Sequence, residues 1–178
     1  MKKYFYYPVA FILLLSIFQS CKSTVEEESR SRNFDTGWLF LKDSIQGAEL
    51  PGYNDSGWRK VDLPHDWSIE DLPNQSDSVI GPFSIESAGG MSTGYFVGGT
   101  GWYRKHFTLS EEQKNKIIWI NFDGVYMDCD IWLNGRHLGS HPYGYTPFNI
   151  DLTKYLNPVG EDNILAVRVR GELCVWVR

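Results

Sequence analysis

The sequence predicts an all-β sandwich, and three observations lead there. Short segments with period-two alternation recur through the second half of the chain. Turn chemistry separates them at short intervals, most plainly at Asn134-Gly135. No long amphipathic helical pattern intervenes, which leaves sheet packing on sheet as the way to bury apolar faces.

Taken in order, residues 1–20 have the build of an export signal. Lys2 and Lys3 precede the apolar run from Val9 to Phe18, which is too short to span a bilayer as a mature helix. The run ends at Ile17-Phe18-Gln19-Ser20-Cys21. A small residue directly before cysteine resembles the lipobox of bacterial lipoproteins, which makes Cys21 the candidate lipidation site and first mature residue. An ordinary secretory signal with an incidental cysteine is the alternative. Residues 21–33 are polar and too poor in apolar side chains to fold alone, so they read as a tether. The expected location is that of an exported lipoprotein, in the periplasm or on the outer-membrane surface.

The folded domain is expected over residues 34–170. Gly37 to Phe40 reads as the first strand, and Asn54 to Gly57 as a turn. Trp58 and Trp67 then anchor a long connection onto the sheet. Six glycines between Gly89 and Gly101 surround Tyr95 and Phe96. No Lys-Ser or Lys-Thr follows and no helical pattern opens, so this is not a phosphate cradle. A mobile surface loop and a site-lining loop are both open readings.

From Trp102 the alternation is plain: Tyr103, Lys105 and Phe107 share one face, and Trp102, Arg104 and His106 the other. Ser110 and Gln113 have the spacing of a capping box. Ile117 to Phe122 reads as a central strand from its β-branched and aromatic content. Met127, Cys129, Ile131 and Leu133 are expected on one face of the next strand, with Asp128, Asp130 and Trp132 on the other. A hairpin at Asn134-Gly135 returns through Arg136 to His141. Asp151 to Leu156 reads as a corner or helical turn, and Asn157-Pro158 as a break. Leu165, Val167 and Val169 then point inward, against outward Ala166, Arg168 and Arg170.

Composition excludes several functions. Without residues 1–20, 15 basic residues face 22 acidic ones, a net charge near −7 that argues against a nucleic-acid partner. The four His and three Cys form no close ligand pair, so neither a metal nor a cofactor is expected. Seven Trp, ten Tyr and ten Phe fit sheet surfaces, and also a surface on which sugar C–H faces stack. Glycoside hydrolysis needs two carboxyl groups facing each other across a cleft. Asp128 and Asp130 are neighbours on one strand face, which suits solvent contact or hydrogen bonding to nearby loops better. Asp66 beside His65 suggests a relay, yet no nucleophile sits in an elbow sequence. No catalytic residue is expected in this chain.

Six ordered motifs carry a resemblance. They are Leu63-Pro64-His65-Asp66-Trp67, Gly99-Thr100-Gly101-Trp102-Tyr103-Arg104-Lys105, Phe122-Asp123-Gly124-Val125, Trp132-Leu133-Asn134-Gly135, Gly144-Tyr145-Thr146-Pro147-Phe148 and Val167-Arg168-Val169-Arg170. Together they resemble the N-terminal sugar-binding domain of glycoside hydrolase family 2, most of all in bacterial β-galactosidases. The resemblance implies a jelly-roll sandwich, similar to galactose-binding-like modules. It also implies β-galactoside-type glycans as partners of the full-length enzyme, and packing against a catalytic barrel. That barrel carries the family's two catalytic glutamates, so no residue here inherits such a role.

Residues 171–178 depart from the family pattern, so the sandwich is expected to lack its closing strand and to expose a sheet edge. Asp66, Tyr95 and Trp102 are the candidate sugar contacts, with core or loop packing the competing reading of each. Two further readings are a stand-alone lipid-anchored carbohydrate-binding module and a purely structural buttress.

Overall fold

The computed structural model describes residues 30–171 and the backbone of residues 175–176. The expected signal segment, Cys21 and most of the expected tether lie outside the described residues, as do 172–174 and 177–178. Twelve strands are described: β1 (Trp38–Lys42), β2 (Arg59–Val61), β3 (Val79–Ile80), β4 (Phe83–Ser84), β5 (Gly99–Thr108), β6 (Trp119–Phe122), β7 (Gly124–Val125), β8 (Cys129–Leu133), β9 (Arg136–His141), β10 (Phe148–Asp151), β11 (Asp162–Gly171) and β12 (Val175–Trp176).

Six of them form one antiparallel sheet in the order β2-β1-β5-β11-β8-β9. The pairing follows from sequence. β5 and β11 each supply ten residues with alternating apolar side chains, and they run opposite each other from Asp162–Thr108 to Gly171–Gly99. Asn134 and Gly135 both have positive φ, the geometry of a two-residue hairpin turn, and they close β8 onto β9. β6 pairs with β10 in a second layer. Trp38, Phe40, Tyr103, Ile131, Leu165 and Val167 from the large sheet meet Ile120, Phe122, Phe148 and Ile150 from the second layer in one core. That is the two-layer arrangement expected.

Four local expectations change. The strand expected from Ile117 begins at Trp119 and belongs to the second layer, because Ile117 is exposed and unpaired. Met127 does not face inward and is 46% exposed; Asp128 has φ 56°, so the chain turns there and β8 starts at Cys129. Ala166 points to the outer face yet is fully buried. The connection through residues 43–58 folds over that face, where Ala48, Trp58, Trp102 and Ala166 form a second apolar cluster. The large sheet is therefore covered on both sides at its β1-β5-β11 end. Finally, the divergent tail contains β12, which pairs Val175 with Val125 and Trp176 with Gly124.

Elsewhere the turn chemistry holds. The Gln113 side chain accepts from the Ser110 N–H at 2.9 Å, closing a short 3-10 turn over Glu111–Gln113. Another such turn, Thr153–Tyr155, forms the corner after β10.

Candidate functional site

The motif Pro64-His65-Asp66-Trp67 forms one corner of the inner core. His65 packs edge-on against Phe40 with ring centroids 4.7 Å apart. Its Nδ1 lies 2.8 Å from the buried Tyr103 hydroxyl, and its Nε2 lies 3.0 Å from Glu70 Oε1. Glu70 also accepts from Arg59 at 2.7 and 2.8 Å. Burial works against ionisation of Glu70, but the hydrogen bonds from Arg59 and His65 outweigh it and hold the carboxyl below its ordinary range. The carboxylate partner of His65 is thus Glu70, five residues on, and not the adjacent Asp66.

Asp66 accepts from the Ser68 N–H at 2.9 Å and the Ser68 hydroxyl at 2.6 Å, capping the 3-10 turn Trp67–Ile69. Trp67 is buried against Gly101, where a Cβ would stand 2.9 Å from its Nε1. The Lys42 ammonium sits 4.4 Å from the centre of the Trp67 ring.

Tyr95 lies on the glycine-rich loop with φ 66° and its side chain 37% exposed. Its N–H donates to Gly90 O and its carbonyl accepts from the Ser84 N–H, which ties the loop to β4. Trp102 is 1% exposed within the outer cluster, 5.4 Å from Trp132, with the Arg168 guanidinium over its ring. Asp66 caps a turn, Tyr95 holds a loop and Trp102 fills a core. The structure gives these residues three separate packing environments.

Sequence reading missed the ionic network on the outer face, because its partners are far apart in the chain. Register sets Trp102, Arg168, Asp130 and Ser140 side by side on β5, β11, β8 and β9. Asp130 Oδ2 accepts from Arg168 at 2.7 Å and from Arg170 at 2.9 Å, while Ser140 donates to Oδ1. Burial of Asp130 opposes its ionisation. The bonds from Ser140 and Arg168, the charge of Arg170 and the bond from His137 overcome that and hold the carboxyl at about 2. Asp128 accepts from Arg170 Nε at 2.8 Å. Both carboxylates, Asp128 at the turn and Asp130 on β8, are engaged by arginine.

A second network pins the covering connection. Arg104 is fully buried; its Nε donates to Asp55 at 2.6 Å, and its Nη1 donates to the carbonyls of Ala48 and Leu50. His106 bridges Asp55 at 2.9 Å and Asp162 at 2.7 Å. Carboxylates only accept, so two such partners call for a proton on both ring nitrogens. Burial lowers the pKa of His106, but the bonds from the two aspartates outweigh that and raise it.

The outer surface of β6–β10 differs from these closed networks. Trp119 is opposite Asp151 and Asn121 is opposite Asn149. Trp119 is 54% exposed, and both asparagines are exposed. Among the described residues, no three His, Cys, Asp or Glu side chains gather as a metal site.

Residues 56–176 match the family described as glycosyl hydrolases family 2, sugar binding domain. A β-galactosidase of Bacteroides ovatus is 46% identical over 151 residues, which is 84% of this chain and 16% of that enzyme. A putative β-glucuronidase of Formosa agariphila is 40% identical over 160 residues, 90% of this chain and 14% of its own length. The chain spans only about a sixth of such relatives. The solved structure of a glycosyl hydrolase family 2 member from Bacteroides cellulosilyticus superposes with a TM-score of 0.72 at 46% identity, covering 82% of this chain and 18% of that one. The six ordered motifs, the two-layer sandwich that they build and these matches agree: the chain belongs to the sugar-binding domain of glycosyl hydrolases family 2.

Proposed function

We propose that the chain serves as the non-catalytic sugar-binding and scaffold domain of an exported β-galactosidase-like enzyme. The observation that carries this reading is the 46% identity to a β-galactosidase of which the chain matches 16%. The ion pairs from Arg168 and Arg170 to Asp130 support the non-catalytic part, since they help hold that carboxyl ionised, whereas a glycosidase's general acid needs its pKa raised. Export as a lipoprotein through Cys21 rests on the basic start, the apolar run and Ser20-Cys21.

A domain exchange tests the role. Put in place of the corresponding segment of the Bacteroides ovatus enzyme, this chain should leave hydrolysis of an aryl β-galactoside intact, and the chain alone should give none. Turnover by the isolated chain would overturn the non-catalytic reading, and an inactive but folded chimaera would overturn the scaffold reading. Palmitate labelling that survives Cys21→Ser would overturn the lipid anchor.

A further inference from the structure

The second layer presents an unusual surface for a sandwich strand pair. In an antiparallel pair, directly opposed residues share a face, as do residues two apart along a strand. The register Trp119–Asp151 and Asn121–Asn149 therefore puts these four side chains on one face. Ile120, Phe122, Phe148 and Ile150 take the other face and fill the core, so the quartet points away from it.

Its chemistry is uncommitted. Trp119 has no ring or cation partner among the described residues, in contrast to Trp38, Trp58, Trp67, Trp102 and Trp132, each of which touches another ring or a cation. The amides of Asn121 and Asn149 make no side-chain hydrogen bond among the described residues, although each has two donors and an acceptor. Asp151, opposite Trp119 in register, is held by Thr153, whose N–H donates to Oδ1 at 2.9 Å.

We propose that Trp119, Asn121, Asn149 and Asp151 form a subsite for one ring of a neutral glycan; the inference rests on the sugar-binding reading above and locates the binding surface. Opposed side chains stand about 5 Å apart and neighbours along one strand about 7 Å apart, the footprint of a single pyranose. The C–H face of the sugar lies on the indole, and its equatorial hydroxyls reach the amides and the carboxylate at the ring's edge. The quartet itself holds one carboxylate, offset by the charge of Lys154 beyond it, and that near-balanced field suits an uncharged ring better than a uronate or a sulfated sugar. Ile117, two residues before Trp119, is exposed as well. A protein partner would use it together with Trp119, whereas a sugar would need the amides.

The test uses the chain labelled with 5-fluorotryptophan, whose seven tryptophans give separable fluorine signals. Trp119→Phe assigns the signal of interest. Lactose, β-1,4-galactotetraose and cellotetraose are the probes. One of them should shift the Trp119 signal saturably; with affinities read by isothermal titration calorimetry, Trp119→Ala should weaken that binding about tenfold or more, and Asn121→Ala or Asn149→Ala should each weaken it about threefold. All three variants are exposed changes and should melt within a degree or two of the parent. Binding that shifts other tryptophans and is indifferent to Trp119→Ala overturns the subsite but leaves the sugar-binding role standing. No shift of any signal by any probe overturns both. Intact glycan binding by Trp119→Ala, with weakened contact to a family catalytic domain, makes the face a protein interface and overturns the subsite.

Discussion

Replacing Asp55 with alanine should cost the domain about 3 kcal/mol, and the reason lies in Arg104. Its guanidinium is fully buried, with one counter-charge at 2.6 Å and the carbonyls of Ala48 and Leu50 as its remaining partners. Removing one member of a buried pair strands the other and costs about 3–5 kcal/mol. Two features favour the lower end. Asp55 is partly open to solvent, so water can enter the vacated space, and the two carbonyls still accept. His106 loses one acceptor as well, but its ring is more than a third exposed, which limits that contribution to a few tenths of a kcal/mol.

With a urea m-value of about 1–3 kcal/mol/M, the unfolding midpoint should fall by about 1–3 M at unchanged slope. The variant Asp55→Ala/Arg104→Met should recover most of the loss, because removing both charges leaves none unpaired. A midpoint shift below about 0.3 M, or strict additivity in the double variant, would refute the reasoning.

The sign with pH follows from two opposed shifts. Burial raises the pKa of Asp55, but its bonds from His106 and Arg104 lower it overall, so its contribution is complete above the ordinary carboxylate range and is lost on acidification. The raised pKa of His106 makes its contribution complete below the ordinary imidazole value and lost as pH climbs through the folded one. The gap between parent and Asp55→Ala should be widest from about pH 4 to about pH 6.5.

Three further outcomes follow from the same geometry. Asp130→Asn should cost about 1–2 kcal/mol at neutral pH, and the difference should fade as pH drops from about 4 through the folded value of about 2, as read by circular dichroism; a constant difference would contradict the assignment. Gly101→Ala should destabilise by about 1–3 kcal/mol, since the new methyl would meet the buried Trp67 and Phe40 rings at 2.9 and 3.1 Å; adding Trp67→Phe should relieve part of it in thermal melts. Cys129 is fully buried, and burial with the nearby charges of Asp130 and Asp128 pushes its thiol up to about 12. With Cys21 and Cys174 changed to serine, Ellman's reagent should react only in denaturant, and rapid native reaction would be the contrary result.

The legibility of this fold depended on range. Alternation in β5, β8 and β11 and the Asn134-Gly135 turn are local signals, and they located strands whose pairing the structure then supplies. Ile117 misled because β-branched content does not distinguish a strand from the exposed segment leading into one. Ala166 was read outward correctly, but its burial is not legible there, since its cover comes from Ala48 and Trp58, more than a hundred residues earlier. The candidate site fared differently. Trp102 and Asp66 stand inside strong motifs, and the structure gives both motifs packing and capping work. Asp55–Arg104 and Asp130–Arg168 join residues 49 and 38 positions apart, which no local pattern reveals. Trp119 and Asn121 share a face by period two alone; what local pattern withholds is the pairing with Asn149 and Asp151.

The place of β11 has a consequence for the order in which the sheet can close. It follows the other five strands of the large sheet in sequence, yet it lies between β5 and β8 and joins the β2-β1-β5 half to the β8-β9 half. Until the ribosome has delivered residues 162–171, the nascent chain holds two half-sheets with no shared hydrogen bond and with their apolar faces only partly covered. The two halves therefore cannot pair until residues 162–171 join them, which makes closure of the large sheet a long-range event and not a local one.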